Sequence, residues 1–205
     1  MSDHTHIKLG GITNLSDARY AASAGVHYIG FCFDPASSHY LPPIKAKEMM
    51  DWISGGYLVA EFGRQSLQEI KDLCELLPVN VIEVENNLLP DELKELDKAV
   101  IKKINADEFP WENLMVEINA YKPVVDAFHL YSSHTGLPYP TEKLKTLCND
   151  HKIIWGAPLT TDYIREVVES IHPYAINLHG GDEEKPGIRD FDELSEVLDL
   201  LIPLD

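Results

Sequence analysis

Eight short runs rich in β-branched and aromatic residues, each separated from the next by a longer stretch with helical spacing, constrain this chain more than any other feature. The runs are HIKLGGI (6–12), HYIGFCF (27–33), YLVAEF (57–62), NVIEVE (80–85), AVIKKI (99–104), DAFHLY (126–131), KIIWG (152–156) and YAINLH (174–179). Their composition and length predict strands. Ser16 is placed to cap a helix over DARYAASA, with Gly25 where a left-handed terminating residue is wanted. Thr160 or Thr161 is placed to cap DYIREVVESI, whose Ile164, Val167, Val168 and Ile171 share one face before Pro173 ends it. Asp190 stands likewise before FDELSEVLDLL, with Leu194, Val197, Leu198 and Leu201 on one side. The connection NADEFPWENLMVEINAY is the weakest, and the fifth helix is ambiguous there.

Strand and helix alternating with short polar connections are the pattern of parallel βαβ units, and eight such units close into a barrel. The expected fold is therefore α/β, a single (β/α)8 TIM barrel domain over residues 1–205. A doubly wound open sheet uses the same units and is the alternative. Both architectures put function at the carboxyl ends of the strands, so those ends are where chemistry is sought.

Charge and cysteine usage narrow the function classes. The formal net charge of −17 repels phosphate backbones and anionic headgroups, which argues against nucleic-acid and membrane partners. It also slows an anionic metabolite, so a site for one must rely on local donors. No stretch approaches the ~20 apolar residues of a membrane span. Cys32, Cys74 and Cys148 have no spacing that suggests zinc or a redox pair, and read as free thiols of a reducing cytoplasm. No metal and no cofactor is expected.

Three stretches carry a resemblance. KLGGIT in the first strand, GVHYIGFCFDPASSHYLPP around the second, and HGGDEEKPGIRDFDEL near the end are similar in order and spacing to motifs of the phosphoribosylanthranilate isomerases, the small (β/α)8 barrels of tryptophan biosynthesis. The resemblance implies an Amadori rearrangement of an aminoaldose phosphate, which needs a general acid at the ring oxygen and a general base at the adjacent carbon. In that family the base is a cysteine of the first strand and the acid an aspartate ending the sixth. Here those positions hold Gly10 and Tyr131. A glycine offers no side chain to take a proton, and a phenol is a poor replacement for a carboxylic acid.

Other family positions are altered too. His39 stands where an arginine meets the anthranilate carboxylate, and an imidazole does not form the bidentate fork. Glu83 and Glu85 replace a glutamine and a histidine on the fourth strand, while Lys8 matches a lysine the family keeps. The phosphate site implied by the resemblance retains Gly136, Gly156 and Gly180, adds Gly181, and has Ala157 in place of a glycine, followed by Pro158 without an N–H.

Alternation along strands sends Lys8, Glu61, Glu83, Glu85, His129, Tyr131, Asn177 and His179 toward one mouth. One reading is acid–base chemistry with Glu83 or Glu85 and His179 supplying the missing roles. Another is a divalent metal on Glu85, His129 and His179, which no local spacing supports, and a third is a layer of mutually paired ions. The expectation is an isomerase-like barrel that binds a small phosphorylated metabolite and has lost or changed the parent activity. The alternatives are an active phosphoribosylanthranilate isomerase with relocated acid and base, and a structural partner protein.

Overall fold

A computed structural model describes residues 5–158 and 161–179, and beyond them 183–185, 188–189, 195, 197, 198 and 201. Eight parallel strands close a barrel in sequential order: β1 His6–Gly10, β2 Tyr28–Cys32, β3 Tyr57–Phe62, β4 Val81–Val84, β5 Ala99–Asn105, β6 Ala127–Tyr131, β7 Ile153–Gly156 and β8 Ala175–His179. β1 pairs with both β2 and β8, which closes the ring and decides against the open sheet. Each strand lies within a residue or two of its expected run. The first stops at Gly10 rather than Ile12 because Gly11 turns left-handed, at φ +63°.

Helices α1 Leu15–Ser23, α2 Pro43–Met50, α3 Leu67–Leu76, α4 Pro90–Leu93, α5 Trp111–Tyr121, α6 Thr141–Asp150 and α7 Thr161–Ile171 form the connections. The cap of α1 is Asn14, not Ser16: Asn14 is extended, and its side chain accepts the Asp17 N–H at 2.9 Å, which places Ser16 inside the first turn. Gly25 has the expected positive φ, +79°. The ambiguous fifth connection resolves into a 3-10 turn, Ala106–Glu108, and then α5, which begins after Pro110. Thr160 and Asp190 lie outside the described residues; Val197, Leu198 and Leu201 are buried, as the helical spacing requires. A short antiparallel pair, β9 Glu183–Lys185 and β10 Ile188–Arg189, follows the barrel.

The inside of the barrel is layered. Val59, Val81, Ile101, Ala127, Ile154 and Ala175 make a buried apolar plug in the amino-terminal half of the strands. Two residues further along the same strands the inward positions are Glu61, Glu83, Lys103, His129, Gly156 and Asn177. An apolar floor thus seals the barrel directly beneath a layer of charge. The outward positions, among them Leu9, Phe31, Ile82, Leu130 and Trp155, form the larger core against the helices.

Candidate functional site

Lys8 is the hub of the polar layer. It is 1% exposed, and its ammonium donates to Glu61 Oε1 and to Asn177 Oδ1 at 3.1 Å, and lies 3.2 Å from Glu83 Oε2. Two of its three protons thus go to Glu61 and Asn177, and the Glu83 carboxylate completes the surround as an ion pair. Burial disfavours its charge, but Glu61 and Glu83 outweigh that and hold the lysine above its ordinary pKa.

Glu83, on β4, also meets the imidazole of His129 on β6, with Nδ1 at 3.0 Å. Burial would raise the Glu83 pKa, yet Lys8 and then His129 hold it far below the usual carboxylate range. Since Glu83 is a carboxylate, Nδ1 of His129 carries the proton of this bond. Burial, opposed by Glu83, pushes the His129 pKa down, so the ring is neutral at pH 7. Its Nε2 is buried without a hydrogen-bond partner.

The empty place at Gly10 is filled from another strand. A Cβ on Gly10 would stand 2.7 Å from Glu61 Oε1, 3.1 Å from Lys8 Nζ and 3.3 Å from Asn177 Oδ1. Glu61 reaches this spot from β3 across β2, where the residue is Gly30; a Cβ there would be 2.1 Å from the same oxygen. Two glycines on adjacent strands therefore open the lane in which the carboxylate lies. Its second oxygen accepts the Gly11 N–H at 3.0 Å, an amide that the left-handed turn aims inward. Glu61 is thus fixed from both ends, with its side chain 13% exposed at the mouth.

On the far side, Tyr131 donates its hydroxyl proton to Glu85. Lys103, two residues before the end of β5, donates to the other Glu85 oxygen at 2.9 Å, and its ammonium lies 4.5 Å from the centroid of the Tyr131 ring. Burial and then the bond to Glu85 push the phenol up, well beyond its ordinary value. Burial would raise Glu85, but Lys103 and the Tyr131 hydrogen bond hold it down. Burial works against the charge of Lys103, and Glu83 and Glu85 prevail and keep its pKa raised.

These groups surround a chamber of about 140 Å³ at the carboxyl ends of the strands, lined by Lys8, Glu61, Glu83, Glu85, Lys103 and His129 together with the second-strand loop. Of the residues expected at the site, Lys8, Gly10, Glu83, Glu85 and His39 meet there. His39 is exposed and its ring lies over Gly11, where a Cβ would come within 3.1 Å of its Cγ. Tyr131 reaches the chamber through Glu85 and Lys103.

Of the residues expected at a phosphate site, Gly136, Gly156 and Ala157 do not line this chamber. His129 takes the space beside Gly156, where a Cβ would be 2.3 Å from Nε2. Ala157 is buried, and Gly136, left-handed at φ +79°, packs against the Tyr163 hydroxyl. Gly180 and Gly181 lie outside the described residues, as does the His179 side chain; the His179 backbone pairs with Gly10. Among the described residues no group of three or more His, Cys, Asp and Glu side chains is arranged to hold a metal ion.

Lys103 and the role of Glu61 are absent from the set expected to carry chemistry. A signal for Lys103 exists in AVIKKI, since one of two adjacent lysines on a barrel strand must face inward. Lys102 takes the outward side, donating to the backbone carbonyl of Asn86.

The model of the N-(5'-phosphoribosyl)anthranilate (PRA) isomerase family matches residues 7–199. The chain is 25% identical over 197 residues to the N-(5'-phosphoribosyl)anthranilate isomerase of Geobacter metallireducens, covering 94% of this chain and 96% of that one. It is 28% identical over 207 residues to the enzyme of that name from Aquifex aeolicus, covering 94% and 96%. In fold it is similar to the crystal structure of phosphoribosyl anthranilate isomerase from Thermotoga maritima, with a TM-score of 0.85 at 20% identity over 98% of this chain and 100% of that chain. With the family model spanning β1 to β8, the chain belongs to the N-(5'-phosphoribosyl)anthranilate isomerase family.

Proposed function

We propose that this barrel carries out the isomerisation for which its relatives are named, converting N-(5'-phosphoribosyl)anthranilate to the aminoketose phosphate, with Glu61 as the base. The observation that carries this reading is the 2.7 Å between Glu61 Oε1 and the Cβ position of Gly10. The strand that lacks a base is thereby supplied with a carboxylate at the same place. Glu83 and Glu85 are poorer candidates: Glu83 is enclosed by Lys8 and His129, and Glu85 is shared between Lys103 and Tyr131. A carboxylate suffices because the carbon acid is activated by the positive iminium next to it. The ligand is then a small phosphorylated metabolite.

A second reading, a barrel that binds such a ligand without turning it over, is favoured by one observation, the Tyr131 hydroxyl engaged by Glu85 at the family's acid position. The purified protein assayed with N-(5'-phosphoribosyl)anthranilate separates the two. Turnover is expected, together with growth of a tryptophan auxotroph lacking its isomerase, and Glu61→Gln is expected to lower kcat by ~10²–10⁴-fold. Binding of the substrate without product formation by the unmodified chain would establish the second reading instead.

A further inference from the structure

The reaction needs a proton at the ring oxygen as well as a base, and the sixth strand no longer presents a carboxylic acid. Tyr131 does not fill the gap readily, since its hydroxyl proton is already given to Glu85. The group beside it is the Lys103 ammonium, which lies over the Tyr131 ring, lines the chamber and keeps 26% of its side chain exposed. Register places it: Lys103 pairs with His129 across β5 and β6, two residues below Tyr131 on the neighbouring strand. Its tether to Glu85 at 2.9 Å uses one of three ammonium protons. Deepening the function proposed above, and resting on it, we propose that Lys103 is the general acid of this site.

Both proton-handling groups then have the same history in space. Glu61 replaces a first-strand side chain from the third strand, and Lys103 replaces a sixth-strand side chain from the fifth. As the ribosylamine ring opens, the C1–O4 bond breaks with its electron pair moving to O4, the amine lone pair forms C1=N, and a Lys103 proton goes to O4. Glu61 then takes the C2 proton; the C–H pair forms C1=C2 and the C=N pair returns to nitrogen. Glu61 delivers that proton to C1 while the C2 hydroxyl proton returns to the Lys103 amine, leaving the C2 ketone and both groups restored. A departing sugar alkoxide is a stronger base than an amine, so the transfer runs downhill even from a lysine whose charge Glu83 and Glu85 favour.

The test compares Lys103→Ala, Lys103→Arg and Tyr131→Phe with the unmodified chain in the same turnover assay. Lys103→Ala is expected to lose ~10²–10⁴-fold in kcat with a smaller change in KM, and added ethylammonium is expected to restore part of it, which a merely structural lysine would not permit. Lys103→Arg preserves the pairing with Glu85, and so the fold, but a guanidinium does not release its proton, so kcat is expected to stay low. Tyr131→Phe is expected to fall by less than about tenfold, the loss of one hydrogen bond. Undiminished turnover in Lys103→Arg, or a larger loss in Tyr131→Phe than in Lys103→Ala, would overturn the assignment and leave the isomerase reading standing. Absence of turnover in the unmodified chain would remove both.

Discussion

The Glu83 carboxylate and the His129 imidazole meet at 3.0 Å inside the barrel, and Lys8 contacts the same carboxylate oxygen at 3.2 Å. At 2% and 1% exposure the pair has no water to fall back on. Each ionised group there is stable only because its partners are present, so the layer that shapes the chamber is also a point of vulnerability for the fold.

Glu83→Gln tests this directly. It leaves Lys8 with Glu61 and Asn177 but removes a buried charge from the network, and is expected to cost about 3–5 kcal/mol of stability, read as a lower urea midpoint. The native pKa of Glu83 is depressed, so its contribution is complete above the ordinary carboxylate pKa of 4.5 and disappears as pH falls through the native value. The gap between wild type and variant should therefore narrow in acid.

His129 adds to this loss of stability in acid, beginning at a higher pH. Its native pKa lies below the ordinary 6.5, so the unfolded chain binds a proton first and stability falls as pH drops from about 7 to 5. His6, His27 and His151 are lowered too, and contribute in the same direction. His129→Gln should therefore flatten the decline of the urea midpoint over this range without abolishing it. An unchanged slope would mean that the buried imidazole is not neutral.

Restoring a cysteine on the first strand illustrates how far the site has been rearranged. Gly10→Cys forces its Cβ to within 2.7 Å of Glu61 Oε1, so the carboxylate must move; a loss of about 1–3 kcal/mol and reduced turnover are expected instead of a gain. Gly10→Cys combined with Glu61→Val vacates that space but takes from the buried Lys8 one of its carboxylate partners, so the midpoint is expected to stay below wild type. Gly30→Ala intrudes on the same carboxylate at 2.1 Å and should resemble Gly10→Cys in stability and activity. A Gly30→Ala protein equal to wild type would show that Glu61 is not held in this lane.

Eight strand-like runs with helical spacing between them narrowed the fold, from the sequence alone, to a barrel or an open doubly wound sheet, and the pairing of β1 with β8 chose the barrel. Alternation along the strands placed Lys8, Glu61, Glu83, His129 and Asn177 on one inner face, because successive side chains of a strand must point to opposite sides. The identity of Gly10 likewise announced a missing side chain. Which group would occupy its place was decided only by tertiary structure. Glu61 reaches Gly10 across Gly30, and Lys103 settles over Tyr131, through strand register and the geometry of closure. Periodicity assigns a residue to a face, whereas the partner it finds there depends on distances between strands far apart in sequence, and those exist only once the ring has closed.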